Sequence, residues 1–169
     1  LGSLPTLEKV VVLNDGGEKV PALDKPALDY RAVMDNGGAY RAADVLWSDP
    51  FIIMFTSGTT GPSKGVMMTH KYWIINGYGY SYPMEIKPDD RLFTCLPYFH
   101  ANAQGYSTMG ALTAGASLIV VEKFSATKFW DQIRHYKATV FNYIGAMLTI
   151  LSKQPESEKD RDHCVRAAY

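Results

Sequence analysis

The sequence has few of the features that mark secreted, membrane or zinc-binding proteins. Its two cysteines, Cys95 and Cys164, form no CxxC pair and lie at no metal-ligand spacing from a histidine. Two isolated thiols favour a reduced, cytosolic setting over a disulfide framework or a zinc site. No apolar run has the length of a membrane span, and residues 1–20 lack the basic segment and apolar core of a signal peptide. We therefore expect a cytoplasmic protein with no transmembrane segment.

An excess of charge of one sign is also missing. Lys and Arg number 17, as do Asp and Glu, so the formal net charge is zero. Such a chain has no overall field that would attract nucleic acid or an anionic membrane, and recognition has to come from a local site. The length of 169 residues fits one domain or one large subdomain, and a hydrophobic content of 47% is enough for a substantial core.

The local site that the sequence offers is residues 55–65, FTSGTTGPSKG. Glycines let successive backbone N–H groups point into one concavity, which attracts anions. Hydroxyl groups add donors, and Lys64 adds a compact cation that can follow a phosphate. We interpret the stretch as a polyphosphate-binding loop, formed by Thr56, Ser57, Gly58, Thr59, Thr60, Gly61 and Lys64.

Two alternatives to this interpretation can be weighed on the residues. A Walker P-loop needs lysine directly after its second glycine and a hydroxyl after the lysine, whereas Lys64 lies three residues past Gly61 and precedes Gly65. A Ser/Thr/Gly-rich surface turn would have a similar composition, but the length and order of the stretch argue against it.

The pattern along the chain predicts strands and helices in alternation, which indicates an α/β fold with a mostly parallel sheet flanked by helices. Residues 51–55 are continuously apolar, as expected for a strand buried on both faces, and residues 66–69 continue after the loop as a second strand. We further predict strands at 9–13, 91–96, 117–121 and 139–143, and helices at 26–35, 70–82, 103–113, after a Ser125 cap, and at 146–153.

A second candidate site follows the strand predicted at 91–96. There the sequence reads LPYFH from Leu96 to His100, and a proline at a strand end fixes the direction of the aromatic pair and imidazole behind it. Taken without other information, a histidine after an aromatic pair is more often a core or capping residue than a catalytic one.

Together the two motifs resemble those of the adenylate-forming superfamily, which contains acyl-CoA synthetases, aryl-CoA ligases and amino-acid adenylation domains. The loop is similar to the pattern [YF]-T-S-G-[ST]-T-G-x-P-K-G, with Pro62 and Ser63 in exchanged order, and LPYFH resembles the second core motif. Within this superfamily, the chain most closely resembles the crotonobetaine/carnitine-CoA ligase-like branch. This resemblance lies in the stretch NYIGAML, which begins at Asn142, and in the later stretch DRDH.

The resemblance implies an ATP-dependent acyl-CoA synthetase, an acid–thiol ligase that forms acyl-AMP and then an acyl-CoA thioester. It implies ATP, Mg²⁺ and CoA as cofactor or co-substrates and a carboxylic acid as substrate. Lys64 and His100 are then the candidate catalytic residues, and Tyr98, Phe99 and His100 shape the acyl pocket. An amino-acid or aryl-acid adenylation domain and a non-catalytic nucleotide-binding module remain open as alternatives.

The resemblance also predicts that residues 1–169 are part of a large N-terminal domain. The glutamate motif that holds magnesium, the aspartate that binds the ribose, and the C-terminal domain with its lysine are missing from this sequence. None of the residues present is therefore expected to ligate a metal, and the chain by itself is expected to lack ligase activity. Which acid is used and the oligomeric state are left open.

Overall fold

A computed structural model describes residues 6–13, 25–35, 37–56 and 61–169 of the chain. Internal contacts divide the chain into two compact units, Leu1–Asp44 and Val45–Tyr169. Residues Ser57, Gly58, Thr59 and Thr60 of the predicted phosphate loop lie outside the described residues.

In the first unit, strand β1 (Val10–Val12) pairs in parallel with strand β2 (Ala27–Asp29), and helix α1 (Tyr30–Met34) follows directly. The strand predicted at 9–13 is confirmed, but the helix predicted from residue 26 is wrong in its first part. The Asp29 carboxylate accepts hydrogen bonds from the backbone N–H groups of the first helical turn, and this cap fixes the later start of the helix.

The second unit is an α/β structure, and it contains in chain order strand β3 (Pro50–Thr56), strand β4 (Lys64–Thr69), helix α2 (His70–Ser81), strand β5 (Arg91–Thr94), π-helix π1 (Asn102–Thr108), helix α3 (Met109–Ala114), strand β6 (Ser117–Val120), helix α4 (Phe129–Tyr136), strand β7 (Val140–Phe141), helix α5 (Gly145–Leu151) and strand β8 (Ala167–Ala168). Strands β5 to β8 form a parallel sheet in the order β6-β5-β7-β8, as the alternating pattern predicts. Strands β3 and β4 form a separate antiparallel pair.

The central strands of the sheet are covered on both faces. Successive strand residues point to opposite faces, and Leu92 and Phe93 of β5 accordingly belong to different core clusters. Phe93 packs with Phe129 of α4, their ring centroids 5.6 Å apart and the planes nearly perpendicular. Leu92 belongs to the cluster of Tyr80 from α2 and Ala111 from α3. Helices α4 and α2–α3 therefore cover opposite faces of β5.

The β3–β4 pair differs from the prediction of a strand buried on both faces. Phe51, Ile53 and Phe55 are exposed, whereas Ile52 and Met54 are half-buried. One face of strand β3 is thus partly protected and the other is open, because the only strand neighbour of β3 among the described residues is β4. Periodicity could not reveal this, since both faces carry apolar residues.

Two helix predictions also need correction. Helix α4 has Lys128 at its N-cap with no side-chain cap, and the Ser125 hydroxyl pairs instead with Thr127 at 3.3 Å. The predicted helix at 103–113 is helical throughout, but its first two turns are a π-helix. It ends at Ala114, one residue beyond the predicted end, and the φ of 69° at Gly115 behind it is the left-handed conformation that glycine adopts without strain.

An ion pair between the buried Asp90 and the more exposed Arg166 joins two strands at the amino edge of the second unit's sheet. Asp90, directly before β5, accepts hydrogen bonds from the Arg166 Nε at 2.9 Å and from the Thr139 hydroxyl at 2.7 Å. The hydrogen bonds from Arg166 lower the pKa of Asp90 to about 2, against the opposing effect of burial. Arg166 directly precedes β8, so the pair holds this last strand against the sheet.

None of the described helices combines the length and hydrophobicity that crossing a bilayer requires, and the longest, α2, has 12 residues.

Replacing Gly77 by alanine should destabilise the contact between α2 and α3. A Cβ atom there would lie 2.6 Å from the Met109 carbonyl oxygen and 2.7 Å from the Thr113 Cγ2. We expect Gly77→Ala to lower the free energy of unfolding by about 1–3 kcal/mol. Gly79→Ala, in the same helix but with open space around its Cβ, should be neutral or stabilising by up to about 1 kcal/mol. Equal denaturation midpoints for both variants would contradict the close approach.

Replacing Asp90 by asparagine should remove an acid-dependent part of the stability. With a pKa of about 2 when folded and about 3.9 when unfolded, Asp90 stabilises fully above about pH 4 and loses this effect as pH falls towards 2. Asp90→Asn should cost about 2 kcal/mol at neutral pH and flatten the decrease in stability between pH 4 and 2. Asp89→Asn, at an exposed neighbour, is the control. Chemical unfolding at several pH values measures both, and parallel pH profiles for wild type and Asp90→Asn would refute the assignment.

Candidate functional site

The two motifs found in the sequence meet at one cavity. Its volume is about 750 Å³, and it lies between the β3–β4 hairpin and the segment that follows β5. The residues that line it are Ile52, Ile53, Met54, Phe55, Thr56, Val66, Met68, Phe99, His100 and Ala101. The wall is therefore mostly apolar, and polar side chains come only from Thr56 and His100 among these residues.

The hairpin places the ends of the predicted phosphate loop side by side. Thr56, the last residue of β3, is paired with Lys64, the first residue of β4, and the Thr56 hydroxyl lies 3.4 Å from the Lys64 carbonyl oxygen. The loop thus joins two antiparallel strands, as predicted, and does not open a helix. Its anion-binding capacity therefore depends on its own N–H groups, hydroxyls and lysine.

Strand register determines the direction of Lys64. Residues paired across antiparallel strands point to the same face, and so do residues two apart along one strand. Lys64 therefore shares a face with Thr56, Met54 and Val66, which line the cavity. Its side chain is exposed and makes no salt bridge within the described part of the chain, so its charge is free to meet an anion at the open end of the hairpin.

The segment after β5 carries the second motif as a compact turn. Cys95 and Leu96 are buried, and the chain then reverses through a hydrogen bond from the His100 N–H to the Pro97 carbonyl at 2.9 Å. Phe99 is 81% exposed and stands at the rim of the cavity. Burial raises the pKa of the Cys95 thiol to about 11, so this neighbouring cysteine remains protonated and is unsuited to act as a nucleophile.

The imidazole of His100 is held in one tautomer by its own backbone. The N–H of Asn102 donates to Nδ1 at 3.2 Å. An accepting Nδ1 carries no proton, so the neutral ring has its proton on Nε2. His100 can therefore donate a hydrogen bond through Nε2 to an oxygen atom in the cavity.

Tyr98 does not line the cavity, and its side chain joins the turn to π1 through a hydrogen bond. Its hydroxyl lies 3.0 Å from the Thr108 hydroxyl, which donates its own proton to the Ala103 carbonyl at 2.9 Å, so Tyr98 is the donor of the pair. The Gln104 amide donates to the Tyr98 carbonyl at 2.7 Å. The prediction that Tyr98 shapes the substrate pocket stays untested, and its visible contacts are structural.

Of the predicted site residues, the structure thus brings Thr56, Phe99 and His100 to one cavity. Gly61 and Lys64 are exposed beside it, and Tyr98 is turned towards π1. Sequence reasoning missed Asn102 and Gln104, which hold the turn. The two amides are visible in the sequence, but nothing there indicates that both bond back to the preceding motif.

A smaller recess of about 50 Å³ borders the main cavity. Met68 and Ala101 line both spaces, and the recess is closed by the aromatic side chains of Tyr72, Trp73 and Tyr106 with the amide of Asn76. Its walls come from β4, α2 and π1, and the main cavity therefore borders a denser, aromatic region at Met68.

Comparison with known proteins agrees with the two motifs. Residues 3–169 match the profile of a family described as AMP-binding enzyme. The chain belongs to this family. Among the relatives of this AMP-binding chain is the crotonobetaine/carnitine–CoA ligase of Citrobacter koseri, 42% identical over 114 residues, which are 68% of this chain and 22% of the relative. The chain thus spans about a fifth of the length of that relative.

Solved structures show the same fold. ATP-bound MatB from Rhodopseudomonas palustris superposes with a TM-score of 0.69 at 27% identity, covering 78% of this chain and 27% of that one. The inhibitor-bound N-terminal domain of FACL13 from Mycobacterium tuberculosis gives 0.67, also at 27% identity, over 78% of this chain and 34% of that domain. The described residues of this AMP-binding chain thus have the fold of part of the N-terminal domain of an adenylate-forming enzyme.

Metal ions in proteins are commonly held by clusters of His, Cys, Asp and Glu side chains. Within residues 6–13, 25–35, 37–56 and 61–169, no group of three His, Cys, Asp or Glu side chains lies close enough together to hold an ion.

Proposed function

We propose that the chain is the phosphate- and acid-binding part of an ATP-dependent acyl-CoA synthetase. One observation carries the proposal: the strand that leads into the Ser/Thr/Gly loop and the Phe99–His100 turn line the same apolar cavity. An acid activated by ATP has to lie with its carboxylate near the nucleotide's phosphates, and this cavity adjoins the loop at Thr56. Relatives named as CoA ligases and the ATP-bound neighbour MatB support the same reading.

In the proposed reaction a carboxylate oxygen of the acid attacks the α-phosphorus of ATP, and the bond to the β-phosphate oxygen breaks. Acyl-AMP and pyrophosphate result. The sulfur of CoA then attacks the acyl carbon as a thiolate, and AMP leaves with the electrons of the acyl–oxygen bond. Magnesium, when bound to the nucleotide, supplies further charge neutralisation, and we assign it to no described residue.

The chain's own residues contribute positioning and charge stabilisation. Residues 56–61 would hold the β- and γ-phosphates through N–H and hydroxyl donors. Lys64 would neutralise the charge that builds on the departing pyrophosphate, where a fixed cation is most effective. The apolar wall of Met54, Val66 and Met68 would take the acyl chain, and His100 would donate from Nε2 to the acid's oxygen.

The first experiment is pyrophosphate release from ATP by the full-length protein with a panel of carboxylic acids, with and without CoA. The panel should include short-chain, aryl, amino and betaine-type acids, because the relatives are named for crotonobetaine and carnitine. Acid-dependent release, with thioester formed only when CoA is present, supports the synthetase. Release with amino or aryl acids alone would favour an adenylation domain, and no release with any acid would favour a nucleotide-binding module. The panel also tests our proposal that the enzyme acts on small molecules. We further propose that it works in the cytoplasm, where such acids, ATP and CoA are present.

Replacing Lys64 by alanine should slow adenylate formation roughly 100- to 1000-fold, the usual cost of losing a transition-state donor. Thioester formation from supplied acyl-AMP should change much less, because pyrophosphate has already left. Single-turnover kinetics of the two half-reactions measure this difference. Lys153→Ala, at an exposed lysine after α5, is the matched control. Equal losses in both half-reactions would contradict the role of Lys64.

Replacing His100 by alanine should change how the acid is used while leaving nucleotide binding intact. We expect a loss of about 10- to 100-fold in kcat/KM for the acid, with an altered order of preference across the panel, because the acid's carboxylate loses one positioning contact. The KM for ATP should stay within about twofold. His135→Ala removes an exposed histidine on α4 and serves as the control. An unchanged profile across acids would exclude His100 from the pocket.

A further inference from the structure

A chain of buried polar side chains connects the sheet to the His100 turn. Asn142 directly follows β7, at the carboxyl edge of the parallel sheet, and Ser107 lies in π1; each is only 1% exposed. The Ser107 hydroxyl donates to the Asn142 Oδ1 at 2.7 Å, and the Asn142 Nδ2 donates to the Asn102 Oδ1. Both ends of the Asn142 amide thus bond to π1: its oxygen bonds to Ser107, and its nitrogen bonds to Asn102, the first residue of π1.

Asn102 links Asn142 to His100. Its side chain is held by Asn142, and its backbone N–H donates to the His100 Nδ1 at 3.2 Å. No other side-chain hydrogen bond or ring contact of His100 is found in the described part of the structure. The direction of the exposed imidazole therefore depends on where residue 102 is fixed.

The buried position of the Asn142 amide indicates a role beyond filling space in the core. Asn142 sits beside the cluster of Phe141 and Met147, where an apolar side chain would fill the same space without any need for partners. A buried polar group is costly unless it is fully paired, and when paired it fixes one arrangement of its neighbours. Here the arrangement that it fixes is the start of π1, two residues from His100.

We propose that Asn142 is a positioning residue for His100: it anchors Asn102 to the sheet and so holds the imidazole with Nε2–H directed at the cavity. The part of this inference that concerns the reaction rests on the proposed function of His100. The geometric part does not, and it can be tested without substrates.

The geometric test is the tautomer of His100 in the full-length protein, read from imidazole ¹⁵N chemical shifts with labelled histidine. Spectra are recorded over a series of pH values, and the tautomer is read in the alkaline range where the shifts no longer change with pH. Wild type should show a proton on Nε2 and none on Nδ1. Asn142→Ala and Asn102→Ala should each shift His100 towards a mixture of tautomers. Shifts that stay at the wild-type values in both variants would overturn the proposal.

The kinetic test is a double-mutant cycle on the acid-dependent step. Each single substitution should lower kcat/KM for the acid roughly 10-fold while leaving the KM for ATP within about twofold. If Asn142 acts through Asn102, the double variant should lose no more than the worse single variant. Losses that multiply would show independent roles and overturn the proposal. A displaced tautomer with unchanged acid kinetics would confirm the geometric part and overturn the part that concerns the reaction.

The choice of Asn102→Ala and one further variant, Ser81→Ala, keeps the test decisive. Asn102→Ala alters a half-buried side chain and keeps the backbone N–H, so it stands alone if Asn142→Ala does not fold. Ser81→Ala removes a buried hydroxyl that pairs with Thr113 at 3.2 Å between α2 and α3, away from the Asn142–Asn102 connection, and it controls for general destabilisation. A loss from Ser81→Ala equal to that from Asn102→Ala would overturn the positioning role. If wild type releases no pyrophosphate with any acid, the proposed function fails while the ¹⁵N result still decides the geometry.

Discussion

The burial of strand β5 on both faces is the constraint on which the second unit depends. Neighbouring residues on this strand, Leu92 and Phe93, enter two separate cores, one with α2 and α3 and the other with α4 and α5. A strand fixed in this way cannot shift without moving both layers. Its carboxyl end is therefore a firm base for the Pro97–His100 turn, and ligands of parallel α/β sheets bind at such ends.

The hairpin that carries the phosphate loop is built on a different principle. Its strands pair with each other and belong to no larger sheet among the described residues, and their outer apolar side chains are exposed. The candidate site thus combines an exposed turn that is anchored on the buried strand β5 with a hairpin that has no such buried support among the described residues. The polar groups follow the same division: His100 is held through π1 and the sheet, whereas Lys64 is held only by its strand.

The sequence predicted most of the strands and helices in order, the parallel sheet and the two motifs, because these depend on local apolar periodicity and on residue types in a fixed order. It did not predict the short strands β2 and β8. It did not predict the exposure of Phe51 and Ile53, since a continuous apolar run looks the same on both faces. The connection from Asn142 to Asn102 spans 40 residues and leaves no periodic trace. The π-helix was also hidden, because its residues are ordinary helix residues whose wider turn is set by tertiary hydrogen bonds.

The register of the hairpin limits how the loop can vary in length. Because Thr56 is paired with Lys64, the two ends of the loop are fixed at one strand spacing, and seven residues lie between them. A residue inserted within β4 directly after Lys64 would put the lysine one position out of register with the rest of the strand and turn it to the opposite face. Residues added within the loop itself, by contrast, cost only slowly growing closure entropy. The hairpin therefore tolerates variation at the loop's tip far better than at the junction with β4, where the residue count decides which face carries the positive charge.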